Sequence, residues 1–189
     1  YARLKGIKGI QVQTNAIKLA DKGYLRSLQE AGMNKIFVGL HSFLPSVHDS
    51  LLGLPGAFEK CMKGVKNAIS AGIEVTLNPV ITNKNFKELS DYVLRVAALK
   101  KIKFISLSIV QPRGRAWINK GLVPDYKVIG PYVKKALLIG NRLGLVINNP
   151  YCGLPICVGG WYNYPQSCVE YCEGLAGKRD NNKDKIKAP

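Results

Sequence analysis

Four cysteines crowd into one short stretch of this chain, and their type and spacing point most directly to chemistry. In YCGLPICVGGWYNYPQSCVEYC, Cys152, Cys157, Cys168 and Cys172 follow the spacing C-x4-C-x10-C-x3-C. Four thiolates can bind zinc or an iron–sulfur cluster. The tight C-x2-C doublet of zinc ribbons is missing, so iron–sulfur is the stronger metal reading. A structural role for Cys152 and Cys157 stays open, with Cys168 and Cys172 serving a site completed elsewhere. The fifth cysteine, Cys61, falls on the apolar stripe of a helix and reads as core.

Short polar groups also recur where strands are expected to end. They are Thr14-Asn15, His41-Ser42, Asn78 with Asn83 and Asn85, and Gln111-Pro112-Arg113-Gly114. Any one of them could cap a helix or close a turn, but four at successive strand ends suit a small polar ligand. Asn78 sits within an apolar strand, where an unpaired amide costs about 1–3 kcal/mol, so it must be hydrogen-bonded. Arg113 and Arg115 flank Gly114 in PRGRA and could clamp a carboxylate or phosphate, or be plain surface residues. His41 and His48 are the only histidines, and neither belongs to a Ser-His-Asp order. His48 and Asp49 could orient one another, although a capping role suits Asp49 better. No phosphate-cradling loop of the Walker type is present.

The elements that must position these residues alternate. Strands are expected at 7–13 (IKGIQVQ), 35–40 (KIFVGL), 73–81 (IEVTLNPVI) and 102–110 (IKFISLSIV), with a short last one at 145–148. Helices are expected at 21–31 and 57–71, then after Asn85, whose spacing to Glu88 forms a capping-box pattern, and at 126–143 with a break at Gly130-Pro131. The stretch LPSVHDSLLGLPG reads as a loop. Apolar strands joined by helices imply an α/β fold with a parallel sheet, an incomplete parallel (β/α) barrel of partial TIM type. In such sheets chemistry gathers at the C-terminal strand ends. Residues 1–148 are expected to form the barrel portion and 149–189 an irregular Cys-rich C-terminal segment.

A hydrophobic fraction of 47% with 21% charged residues is that of a globular domain, and no run reaches the roughly 20 apolar residues of a membrane span. No leader-like segment opens the sequence, so the expected location is cytoplasmic and no membrane partner is expected. The net charge of +16 comes from lysines dispersed along every expected helix. Dispersed charge offers no sequence-specific contact surface, which argues against nucleic acid as a partner. Both ends, Tyr1 and Pro189, read as cut points of a longer chain.

Several stretches together resemble one family. A strand ending in Thr14-Asn15 is similar to a threonine-asparagine-glycine turn, with Ala16 in place of the glycine. VGLHSFLPSVHDSLLGLPGAFEKCMKGV is similar to a strand and His-Asp loop that lead into a Gly-x-Phe helix start, here Gly56-Ala57-Phe58. TLNPVITNKNFKEL and IVQPRGRA are similar to the two strands that follow. These are motifs of radical SAM enzymes, and order and spacing agree over about residues 7–116. The cysteine-rich end resembles the start of the SPASM or twitch extension, which holds auxiliary iron–sulfur clusters in the peptide- and protein-modifying branch.

The resemblance implies a partial barrel that binds a four-iron four-sulfur cluster and S-adenosylmethionine (SAM), and a deoxyadenosyl radical that attacks a substrate. It implies a SAM side lined by Thr14, Asn15, Asn78, Asn85 and the backbone near Pro112. It also implies a reductant protein as partner, and the cysteine tail favours a peptide or protein substrate. Two departures stand out. The C-x3-C-x2-C cluster motif is absent and is expected upstream of Tyr1, so the piece alone is expected to be inactive. Gly39 and His41 stand where the family has serine and aspartate. Two rival readings remain at this point: another β/α-barrel enzyme that takes a phosphorylated metabolite through Arg113 and Arg115, and a basic RNA-binding scaffold with a zinc-stabilised end.

Overall fold

The computed structural model of the chain describes residues 3–169. Five strands form one parallel sheet: β1 (Gln11–Thr14), β2 (Lys35–Val38), β3 (Glu74–Leu77), β5 (Phe104–Ser106) and β7 (Val146–Asn148). Their order in the sheet, β1-β2-β3-β5-β7, is their order along the chain. Two shorter strands, β4 (Val80–Ile81) and β6 (Ser108–Ile109), pair in parallel just beyond β3 and β5. Each crossover between sheet neighbours carries helix, the arrangement that parallel strands require. The helices are α1 (Lys22–Glu30), α2 (Pro45–Leu52), α3 (Ala57–Ser70), α4 (Leu89–Ala98), α5 (Arg115–Ile118) and α6 (Tyr126–Arg142).

The expected apolar stripes become the core. Cys61, Val65 and Ala68 of α3, Val93 and Val96 of α4, and Val133 and Ala136 of α6 are fully buried. They pack in one cluster with Ile36, Val38, Leu77 and Ile105 from the central strands. Apolar area removed from water at about 25 cal/mol per Å² holds such a layer together. Burial pushes the Cys61 thiol up to about 12, as an apolar core position should. Asp21 caps α1, its carboxylate accepting from Gly23 N–H at 2.7 Å and Tyr24 N–H at 3.3 Å.

Three expectations are corrected. The stretch read as a loop contains α2, which starts with Pro45 in its first turn and stops at Gly53 in the left-handed conformation. Proline is pre-set for that first turn and glycine for that stop. The third and fourth strands are each divided, the third at Asn78-Pro79 because proline has no N–H to continue a ladder. The last helix runs unbroken through Gly130 and Pro131. Gly130 instead lies beside the Gly159 backbone, where an added Cβ would sit 3.6 Å from the Gly159 nitrogen.

Candidate functional site

Polar residues collect at the C-terminal ends of the parallel strands, and hydrogen bonds link them from one strand to the next. At the end of β1, Thr14 Oγ1 accepts from Ala16 N–H at 3.0 Å and Asn15 Oδ1 from Ile17 N–H at 3.2 Å. These side chains shape the turn itself. Ala16 is fully buried at φ +59°, a conformation that glycine adopts without cost. A glycine on α3 makes room for it: a Cβ on Gly64 would sit 2.1 Å from the Ala16 carbonyl oxygen.

Beyond β2 the chain reaches His41. Its Nδ1 accepts from Val80 N–H at 3.3 Å, which assigns the neutral-ring proton to Nε2. Its backbone N–H donates to Nδ1 of His48 at 3.2 Å. Burial, reinforced by the nearby His48, lowers the His41 pKa to about 4. His48 on α2 is completely buried, and burial pulls its pKa down too, against an opposing pull from Asp49. Among the described residues its Nε2 has no hydrogen-bond partner, and its ring meets Phe58 edge-on with centroids 5.9 Å apart. Asp49 does not orient His48. Its carboxylate accepts from Gly56 N–H at 2.6 Å and Phe58 N–H at 2.8 Å, fixing the entry to α3.

Asn78 ends β3 and is buried. Its Nδ2 donates to the Ser106 carbonyl at 2.7 Å and to Ser108 Oγ at 2.7 Å, so the amide ties the β3 end to the β5–β6 bend and, among the described residues, keeps Oδ1 as an uncommitted acceptor. Asn85 is used more completely. Its Nδ2 donates to the carbonyls of His41 at 2.8 Å and Val80 at 2.9 Å, while Oδ1 accepts from Thr82 N–H at 2.7 Å and Thr82 Oγ1 at 3.1 Å. It braces the strand ends and makes no side-chain cap on the helical turn after it. Nor does Glu88 close a capping box, because its Oε2 accepts from Ser42 Oγ at 2.6 Å. Pro112 is exposed in the bend after β6. Of these links, the His41–His48 contact and the serines Ser106 and Ser108 were not singled out from the residues. For His41, Ser106 and Ser108 the signal was position alone, since each stands within a few residues of a strand end, and His48 on α2 carried none.

The cysteine-rich segment lies along the far edge. Asn149 and Cys168 bridge as parallel neighbours, and Ile109 N–H donates to the Cys152 carbonyl at 2.8 Å. Cys152 Sγ donates to Ser108 Oγ at 3.3 Å. Cys168 is buried with its sulfur 3.7 Å from Asn149 Nδ2, while Cys157 is exposed. Among the described residues, no group of three or more His, Cys, Asp or Glu side chains is placed to hold a metal. Cys152, Cys157 and Cys168 therefore do not gather here, because backbone pairing fixes Cys152 against β6 and Cys168 against Asn149. Cys172 lies outside the described residues. A cavity of about 500 Å³ opens beside Asn149, Tyr151 and Cys168. A second, of about 650 Å³, lies between the end of α2 and the segment 115–122, with Lys84 and Arg115 on its walls. Arg113 does not line it, so the two arginines of PRGRA are not one clamp.

Among the described residues no helix is long and apolar enough to cross a membrane. Comparison with known proteins is consistent across sequence and structure. The family profile of the Radical SAM superfamily matches residues 1–96. The chain is 26% identical over 193 residues to the GTP 3',8-cyclase of Peptoclostridium acidaminophilum, covering 98% of this chain and 57% of that protein. It is 28% identical over 124 residues to the Fe-coproporphyrin III synthase of Methanosarcina barkeri, covering 65% of this chain and 30% of that protein. The chain thus spans from under a third to just over half the length of these relatives. Among solved structures, a domain of a pyruvate-formate lyase-activating enzyme from Bacteroides vulgatus matches the fold with a TM-score of 0.59 at 17% identity, covering 77% of this chain and 83% of that one.

Proposed function

This chain belongs to the radical SAM superfamily, and from that premise we propose that it supplies the SAM-facing strand ends of an enzyme that cleaves SAM reductively and modifies a substrate with the resulting deoxyadenosyl radical. Membership implies SAM and a four-iron four-sulfur cluster. When bound, those groups supply the one-electron chemistry. This sequence contains no C-x3-C-x2-C run, so no residue here is assigned to that cluster and no step is routed through it.

The observation that carries the proposal is the pairing of polar atoms at neighbouring strand ends. His41 presents a neutral Nε2–H donor at the end of β2, and Asn78 an uncommitted Oδ1 acceptor at the end of β3. One donor and one acceptor on adjacent rigid strands fit the polar edges of an amino-acid and nucleoside ligand. Because burial holds His41 neutral, its donor keeps the same charge across the physiological range. The proposed division of roles is contact for Asn78 and His41, and shaping of the turn for Thr14 and Asn15. Asn85 holds the loop after β4 against His41, and the backbone near Pro112 closes the far side. Within this proposal residues 1–148 are the barrel portion and 149–189 a separate extension, whose cysteines, Cys172 included, take up an auxiliary cluster. A cytoplasmic reductant protein delivers the electron.

The relatives are named for quite different reactions, cyclisation of GTP and synthesis of an Fe-coproporphyrin, so the substrate is not inherited from them. The test is deoxyadenosine release by the anaerobically reconstituted full-length protein with SAM and dithionite. Release is expected, with Asn78→Leu lowering it at least tenfold by raising the KM for SAM. No release from a protein carrying its full complement of iron would overturn the reading.

A further inference from the structure

We infer that the groove between α2 and the segment 115–122 binds an anionic group of the substrate, a phosphate or carboxylate, through Lys84 and Arg115. As a substrate subsite this rests on the reading above, and it deepens that reading by naming the substrate's charge.

Three strand-end connections build the groove. Its walls are the last turn of α2 after β2, Asn83 and Lys84 after β4, and Arg115 to Leu122 after β6. All three lie on the C-terminal side of the sheet, where the ligands of such folds are bound. The volume of about 650 Å³ is that of a small-molecule site. One wall is fixed in place by Asn83, whose backbone N–H donates to the Leu122 carbonyl at 2.9 Å and whose Nδ2 donates to the carbonyls of Gly121 at 2.7 Å and Val123 at 3.1 Å. Asn119 Nδ2 donates to the Arg115 carbonyl at 2.9 Å and holds the short α5 in the same wall.

The charges on these walls are one-sided. Among the described residues no Asp or Glu lines the groove, while Lys84 and Arg115 both do. Elsewhere Arg26, Arg95 and Lys35 each pair with a carboxylate, and neither groove cation enters an ion pair among the described residues. Lys84 Nζ reaches across to Ser50 Oγ at 3.4 Å, which places its charge within the groove. The carboxyl end of α2 opposes an anion with its dipole, and Lys84 lies beside that end and offsets it. Arg115 is then left as the principal anion donor, a fork able to grip phosphate or carboxylate with two N–H groups. A cationic concavity with a braced wall differs from the dispersed lysines of the rest of the surface.

Calorimetric titration of the full-length protein with inorganic pyrophosphate, and separately with citrate, tests the site. Variants R115Q and K84Q are compared with K63Q, which removes the same charge from the exposed face of α3. The expected result is saturable binding weakened at least fivefold by R115Q and severalfold by K84Q, with less than a twofold change in K63Q. Tighter pyrophosphate assigns the group to a phosphate, and tighter citrate to a carboxylate. No saturable binding, or equal weakening in all three variants, would overturn the inference. The titration needs neither cluster nor reductant. A protein that binds anions here but releases no deoxyadenosine therefore loses the radical SAM reading and keeps the groove, and the reverse result does the opposite.

Discussion

The strand ends and the cysteine-rich segment meet at Ser108 and Ile109, yet they are built differently. At the strand ends, side chains hold backbone. Asn85 alone satisfies two carbonyls, an amide N–H and a hydroxyl drawn from residues 41, 80 and 82. In the segment from Asn149 to Val169, Asn149 likewise grips the N–H and carbonyl of Leu154, but the described thiols go separate ways, Cys152 to Ser108, Cys168 to Asn149 and Cys157 exposed. The first region is complete in itself, fixed before any ligand arrives. The second leaves its thiols apart, and bringing them onto one metal would require the loop to rearrange. A preorganised half and an adaptable half of one surface should answer to mutation very differently.

The largest contrast is expected at Asn85. Asn85→Ala would strip a partner from one buried and two part-buried backbone groups and should cost about 3–5 kcal/mol, lowering the melting temperature by roughly 10 °C or more. Thermal unfolding followed by circular dichroism measures it, and a loss under about 1 kcal/mol would show that water replaces the brace.

Acidification comes next. The folded-state pKa of His41 lies near 4, below its ordinary 6.5, so the unfolded chain takes up protons first as the pH falls. The stability contributed by the neutral ring is therefore complete above pH 6.5 and is lost as the pH drops through 4. Over that window the loss is up to about 3 kcal/mol. A pH series of unfolding curves should be flat from 7 to 8 and fall below 6.5, with the fall reduced in His41→Gln.

Gly64→Ala should cost about 2 kcal/mol, because its methyl would meet the Ala16 carbonyl. The smallest effect is expected across the border. Cys152→Ala removes one thiol hydrogen bond on an exposed residue and should cost less than about 0.5 kcal/mol. Chemical denaturation resolves both values. If Cys152→Ala proved as damaging as Asn85→Ala, the contrast between the two regions would be wrong.

Strand order and strand ends were legible because period and polarity changed together at Thr14, His41, Asn78 and Gln111. Helix α2 was not. Its eight residues begin with proline and are followed by glycine and a second proline, punctuation shared by loops and short helices. The roles of the two asparagines were only half legible. That Asn78 needs a partner follows from its apolar strand, but the identity of that partner depends on where β5 bends. Asn85 reads as a helix cap by spacing, and tertiary structure gave its amide carbonyls 44 and 5 residues away instead. The histidine pair escaped because Asp49 stands next to His48 in sequence while its carboxylate reaches forward to α3. The cysteine spacing was the clearest signal of all. It says which residues are ligand types, and nothing about whether the loop between them is folded around a metal or along a strand.

The contact between Ala16 and Gly64 also bears on how this sequence can drift. Residues 16 and 64 come from different elements, yet they share one small volume, and one of them already holds a backbone angle unfriendly to side chains. Neither position has room to vary first. In a library randomised at both, survivors should be confined to glycine at 64 and to alanine or glycine at 16, however freely the exposed lysines around them are exchanged.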